Sequence, residues 1–379
     1  MSTLTFIFPL QSLLPPKDIC NSSLFSHLRK QISLSAFSLS LSLSPTMAFP
    51  LLLFIVFSSL SSISYSKPLL TDDYYSKTCP LLHKIMEETV SSKQITNPTT
   101  AAGILRVFFH DCMVEGCDAS ILIASNQFNK TELDSDINES LPGDAFDLIT
   151  HAKNALELAC PNVVSCSDIL AIATRDLVKI VGGPFFQIPL GRKDGLVSKA
   201  SHVEENLARA NTSIDEIIRR FETKGFTVEE MVALMGGGHT IGFSHCKEFG
   251  NRIFNFSKTL DVDPSMNPKF AERLRNICEN YHTMPRMAAF NDPITPGVFD
   301  NMYFQNLLRG LGLLESDQVL MRDTRTRPIV EHYAKHQTAF FVTFAKAMEK
   351  TSVYGVKTGQ DGEVRVRCDK FNSVWPRTK

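Results

Sequence analysis

The sequence predicts a mainly α-helical protein with long functional loops, and three observations lead there. Apolar residues recur at three- and four-residue spacing in 144–160, 167–181, 213–224 and 227–234, the period of a helix that buries one face. Strand signals are few and short. Glycine and proline interrupt the pattern at Gly182-Gly183-Pro184, Leu190-Gly191-Arg192, Gly236-Gly237-Gly238 and 293–297, which marks the loops. Thr227 with Glu230 three residues on forms a capping box for the 227–234 helix. Further helices are expected at Pro268–Cys278 and 302–309, and 329–351 reads as one long amphipathic segment. No internal repeat is visible.

The chain has 379 residues, 43% of them hydrophobic, enough for one large domain or two modest ones. A net charge of −1 argues against a nucleic-acid partner. Residues 1–66 differ from the rest: serine and leucine dominate, and Asp18 is the sole acid. Residues 47–66 carry a short apolar core followed by Ser64-Tyr65-Ser66, which reads as a signal peptide. Residues 1–46 then read as an upstream extension or leader, and 67–379 as the mature domain. The apolar run is too short for a stable membrane span. Nine cysteines occur, and Cys20 lies in the leader. The other eight suit disulfides in an oxidising compartment, with 105 possible pairings. Zinc is the rival use, disfavoured because no Cys-x2-Cys pair exists.

Two segments carry chemistry. In 101–112, Arg106 and His110 stand four apart in an apolar stretch, so they share one helix face. A buried guanidinium beside an imidazole suits proton uptake by His110 with negative charge stabilised by Arg106. In 236–242, His239 stands among small residues that let a flat cofactor approach, a setting suited to axial ligation of haem iron. Alone, a histidine at a helix end is more often structural. Paired with the Arg106/His110 helix, it can face the other side of one plane.

With these motifs the chain resembles the plant secretory (class III) haem peroxidases over about residues 73–368. The resemblance rests on Tyr75-Ser76-Lys77-Thr78-Cys79-Pro80, the 106–120 block, Val164-Ser165-Cys166-Ser167-Asp168-Ile169, Leu190-Gly191-Arg192-Lys193-Asp194, Gly238-His239-Thr240-Ile241-Gly242, Phe299-Asp300-Asn301 and Ser316-Asp317-Gln318. It implies the haem peroxidase fold: two helical halves, about 67–205 (distal) and 206–370 (proximal), sandwiching one haem b, with four disulfides and two Ca2+ sites.

The roles that the resemblance implies are as follows. His110 is the distal acid/base, Arg106 stabilises charge on the departing oxygen, and Asn138 accepts a hydrogen bond from the His110 ring. Phe109 screens the iron from bulky donors. His239 is the axial ligand, with His245 the weaker rival, and Asp317 is its proximal partner. Asp111, Asp118, Ser120 and the carbonyls of Val114 and Gly116 form the first calcium site, with Glu132 behind a water. Thr240, Asp292, Thr295, Asp300 and the Val298 carbonyl form the second. The disulfides are Cys79–Cys160, Cys112–Cys117, Cys166–Cys368 and Cys246–Cys278, and Asp168 with Arg192 is a buried ion pair. Sequons at Asn129, Asn211 and Asn255 are glycan candidates, and the one at Asn138 is expected bare.

The chain departs from the family pattern in places. The usual Leu-Ser-Gly-(Ala/Gly)-His becomes 234–239 with one extra residue and no serine, which leaves the helix register there open. Ala208 replaces a proline at the aromatic-donor entrance and frees its φ. Residues 140–146 lose an arginine. Trp375 is the only tryptophan, so none lies beneath the haem as in ascorbate peroxidase. The expected activity is reduction of hydrogen peroxide with one-electron oxidation of phenolic or aromatic donors, by a monomer secreted to the cell wall, in wall metabolism or the oxidative-stress response. The rivals are a non-catalytic extracellular calcium-binding protein that keeps the fold, and an extracellular hydrolase.

Overall fold

Helix α1 (Leu82–Thr96) opens the helical scaffold and packs on α3 (Gly143–Ala159) and α4 (Cys166–Ile180). The computed structural model describes residues 70–372. The leader, the signal segment, Cys20 and Trp375 lie outside the described residues. Helix α2 (Thr100–Val114) runs against α4 and α3 and buries most of its surface. The second half of the chain supplies α5 (Ile214–Thr223), α6 (Val228–His239), the short α7 (Gly250–Ile253), α8 (Pro268–Cys278), α9 (Met302–Leu308), α10 (Glu315–Gln318), α11 (Arg327–Lys335) and α12 (Gln337–Ser352). Only two strands occur among the described residues, β1 (Phe243–His245) and β2 (Ala288–Phe290), antiparallel with Phe243 opposite Phe290. The mainly helical class is borne out.

One apolar core runs from α1–α4 through α5, α6, α9, α11 and α12. A smaller one joins α7, α8 and the 313–314 segment. The described residues belong to one compact unit, and among them no helix is long and apolar enough to cross a membrane.

Local chemistry explains the ends. Ser165 caps α4 by accepting from the Asp168 amide, and Thr227 and Glu230 close the capping box at the start of α6. That helix runs through all three glycines to His239, further than residue 234, so the extra residue is absorbed in an unbroken helix. Two of these glycines are there for packing. A Cβ on Gly236 would stand 2.2 Å from Phe304, and one on Gly237 2.1 Å from Phe344. The loss of helix propensity, roughly 1 kcal/mol per glycine, is offset by close approach of α6 to α9 and α12.

Segment 329–351 is two helices rather than one. Asn301 donates from Nδ2 to the carbonyls of Tyr333 and Ala334, at 2.8 and 3.0 Å. Those carbonyls would otherwise carry the helix onward, and His336 breaks it with non-helical backbone at φ −131°, ψ 81°. Helix α1 has a sparse apolar face of Leu82, Met86 and Val90 and was not predicted.

The four disulfides pair Cys79 with Cys160, Cys112 with Cys117, Cys166 with Cys368 and Cys246 with Cys278. Arg192 and Asp168, both fully buried, meet at 2.8 Å. Asp168 also accepts from the Tyr75 hydroxyl and the Gly191 amide, and Arg192 donates to the Ser352 carbonyl at the end of α12. Removing one partner leaves an uncompensated buried charge. Arg192→Ala should therefore lower stability by about 3–5 kcal/mol, read as an earlier midpoint in guanidinium unfolding.

Candidate active site

Helix α2 presents Ala102, Arg106, Phe109, His110 and Met113 as one stripe, at the spacing that keeps side chains on a single face. They line a cavity of about 530 Å³ together with Met235, Gly238 and His239 from α6. Its rim includes Ala208, Phe243 and His245. The two histidines singled out in the sequence thus open onto the same space, from different helices.

The distal side is tied down by backbone oxygens. Arg106 donates to the carbonyls of Ile137 and Ser140 at 3.1 and 3.2 Å, and to the Ser140 hydroxyl at 3.0 Å. These bonds offset the cost of holding a guanidinium inside. Asn138 donates from Nδ2 to the Glu132 carbonyl at 2.7 Å, so its Oδ1 is left to accept. His110 Nδ1 lies 2.6 Å from that Oδ1. The network fixes the tautomer: Nδ1 carries the proton, and Nε2 keeps its lone pair. Arg106 Nε reaches that Nε2 at 3.4 Å. Burial, with the neighbouring Arg106 charge second, pushes the His110 imidazolium down to about 3, so the ring is a neutral base at physiological pH. Phe109 packs on Phe221, ring centroids 6.0 Å apart, at the cavity wall.

On the α6 side, His239 Nδ1 lies 2.7 Å from Asp317 Oδ1. Asp317 is buried, which alone would raise its pKa. The facing His239 and its hydrogen bonds outweigh burial and hold it as the carboxylate. His239 is shifted the opposite way: burial lowers it, but the Asp317 charge raises it. With Nδ1 engaged, Nε2 is the nitrogen left for the cavity. His245 sits on β1, where burial and then Lys247 lower its pKa.

Each histidine adjoins an oxygen-rich loop. After His110, Asp111 accepts from the amides of Ala119 and Ile121, and Asp118 accepts from that of Ser120. The Ser120 hydroxyl donates to Glu132 Oε2 at 3.1 Å, and Glu132 Oε1 is buried without a partner. Burial, then neighbouring carboxylates, pushes Glu132 up to about 9. After His239, the Thr240 hydroxyl donates to the Asp300 carbonyl at 2.8 Å, and Thr295 donates to Asp292 and Asp300. Among the described residues no three His, Cys, Asp or Glu side chains converge tightly enough to hold a metal unaided. Any cation there needs hydroxyl and carbonyl oxygens as well.

A family model described as peroxidase matches residues 86–336. The chain belongs to the peroxidase family. It is 61% identical to Peroxidase 41 of Arabidopsis thaliana over 85% of this chain and 97% of that one. It is 57% identical to Peroxidase 65, over 82% and 92%, and 57% identical to Peroxidase 6, over 86% and 98%, both from the same plant. The resemblance drawn from the motifs is borne out.

This peroxidase is an oxidoreductase acting on hydrogen peroxide and a donor, and its family implies haem. The cavity fits that group: His239 offers a nitrogen of raised basicity, and a Cβ added at Gly238 would meet nothing within 4 Å.

Three contributors escaped the sequence reading. Buried Arg252 pairs with Asp263 at 2.9 Å and donates to the carbonyls of Gly312, Leu313 and Leu314, just ahead of Asp317. Buried Arg365 donates to the carbonyls of Asp118 and Ala119. Tyr303 donates its hydroxyl to Asp317 Oδ1 at 2.9 Å. An arginine or tyrosine gives no sequence signal when its partners are carbonyls or acids 11 to 247 residues away.

Groups that orient a ligating histidine are typically worth about 10–100-fold. In this peroxidase, Asp317→Asn should lower turnover by that order while far-UV circular dichroism stays unchanged.

Proposed function

We propose that this peroxidase holds one haem b on His239 and reduces hydrogen peroxide to water at the His110/Arg106 face, taking single electrons from phenolic or similar aromatic donors. The observation that carries the reading is the pair of histidines on one cavity, each held through Nδ1, His110 by Asn138 and His239 by Asp317. Haem, when bound, supplies the redox chemistry that cleaves the peroxide bond and oxidises the donor.

His110 does the proton work. Its Nε2 takes the proton from one peroxide oxygen and returns it to the other as that oxygen leaves. Arg106 stabilises the negative charge developing on the departing oxygen. Asn138 keeps Nδ1 protonated, so that Nε2 is always the base. Asp317 raises the basicity of His239. Phe109 crowds the cavity, so donors react near the Ala208 rim.

Two Ca2+ ions complete the sites, since calcium takes six to eight hard oxygens and accepts carbonyls and hydroxyls. Asp111, Asp118 and Ser120 with the carbonyls of Val114 and Gly116 would hold one, and Glu132 acts through water. The unpartnered Glu132 oxygen supports this. Thr240, Asp292, Thr295, Asp300 and the Val298 carbonyl would hold the other. Each ion steadies the histidine beside it.

The protein acts as a secreted monomer in the cell wall, in wall metabolism or the oxidative-stress response, without nucleic-acid or membrane partners after signal cleavage. Four disulfides suit an oxidising compartment. Glycans would sit at Asn129, Asn211 and Asn255, whereas Asn138, 1% exposed, stays bare.

In stopped-flow absorbance with hydrogen peroxide, His110→Ala should slow formation of the oxidised enzyme by about 10²–10⁴-fold. An unchanged rate would remove His110 from its role. Prolonged chelation should lower the melting temperature and weaken the Soret band, and added Ca2+ should restore both. If magnesium restores them as well as calcium does, the calcium assignment fails.

A further inference from the structure

Asp317 Oδ1 receives two hydrogen bonds: from His239 Nδ1 at 2.7 Å and from the Tyr303 hydroxyl at 2.9 Å. The other oxygen, Oδ2, accepts only the Leu314 amide, at 3.2 Å. Tyr303 is 2% exposed and Asp317 1%, so water does not compete. The tyrosine ring stands edge-on to His239, centroids 6.3 Å apart, and is held from behind by Phe304 at 5.1 Å.

We propose that Tyr303 is a positioning residue that sets how strongly Asp317 draws on the His239 proton. A buried hydroxyl needs an acceptor, but packing alone does not require it to share the oxygen that the histidine uses. Two donors on one oxygen divide its charge, and each bond is weaker than it would be alone. Burial, then the Asp317 charge, keeps the phenol protonated, so it is a permanent donor. It therefore limits the imidazolate character of His239 and, through it, the electron density given to the iron. This inference rests on haem being held by His239.

The test is Tyr303→Phe in the haem-loaded enzyme, which removes one oxygen and leaves the ring. The readouts are the ferrous iron–histidine stretch in resonance Raman spectra and the ferric/ferrous midpoint potential. With the phenol gone, the His239–Asp317 bond should tighten, the stretch should rise and the potential should fall. In an Asp317→Asn background, the same substitution should move neither. A merely structural tyrosine would change the melting temperature and leave both readouts in place. An iron–histidine band that is present but unmoved overturns the inference alone, as does an equal shift in both backgrounds. If the wild type lacks that band, or His239→Ala retains it, the haem assignment falls and takes the inference with it.

Discussion

Both histidines of the cavity are gripped through Nδ1, and the difference between the two grips organises the site. His110 is held by a neutral amide oxygen, His239 by a carboxylate. A neutral partner orients a ring without adding charge, and burial beside Arg106 then keeps His110 unprotonated. A charged partner enriches the ring, which suits a metal ligand. The same residue type is thus suited to proton uptake on one side and to electron donation on the other.

These grips hold only because their own supports are fixed. Asn138 is anchored on the Glu132 carbonyl, so the oxygen-rich loop and the His110 tautomer are mechanically joined. Asp317 follows a segment whose carbonyls converge on Arg252. The arginine charges are neutralised deep in the protein by Asp263 and, for Arg192, by Asp168. Buried pairs of this kind add little net stability but strongly penalise loss of one member. Their effect here is to hold loops that have almost no regular structure.

Local signals in the sequence reached most of the longer helices and the Arg106/His110 stripe, because both depend on spacing within one element. The path of α6 through three glycines was not legible. Those glycines answer to Phe304 and Phe344, residues 68 and 107 positions from Gly236 and Gly237. The break at His336 was hidden for a similar reason: the apolar period continues across it, and the cause is an asparagine at 301. Disulfide pairing, Asn138 and Asp317 were reached through family resemblance, since spacing alone left 105 pairings open. Arg252, Arg365 and Tyr303 matter through partners far along the chain, beyond the range of any local pattern.

The loop after His110 also leans on the far end of the polypeptide. Cys117 donates its amide to the Tyr354 carbonyl, Gly116 abuts Gly355, Arg365 grips the carbonyls of Asp118 and Ala119, and Cys368 is bonded to Cys166. A ribosome delivers those four partners last. During synthesis the helices can form and collapse before the loop beside His110 gains these supports. A chain ending before residue 354 would lack all four of these supports, so the order of synthesis places the setting of this loop among the last steps of folding.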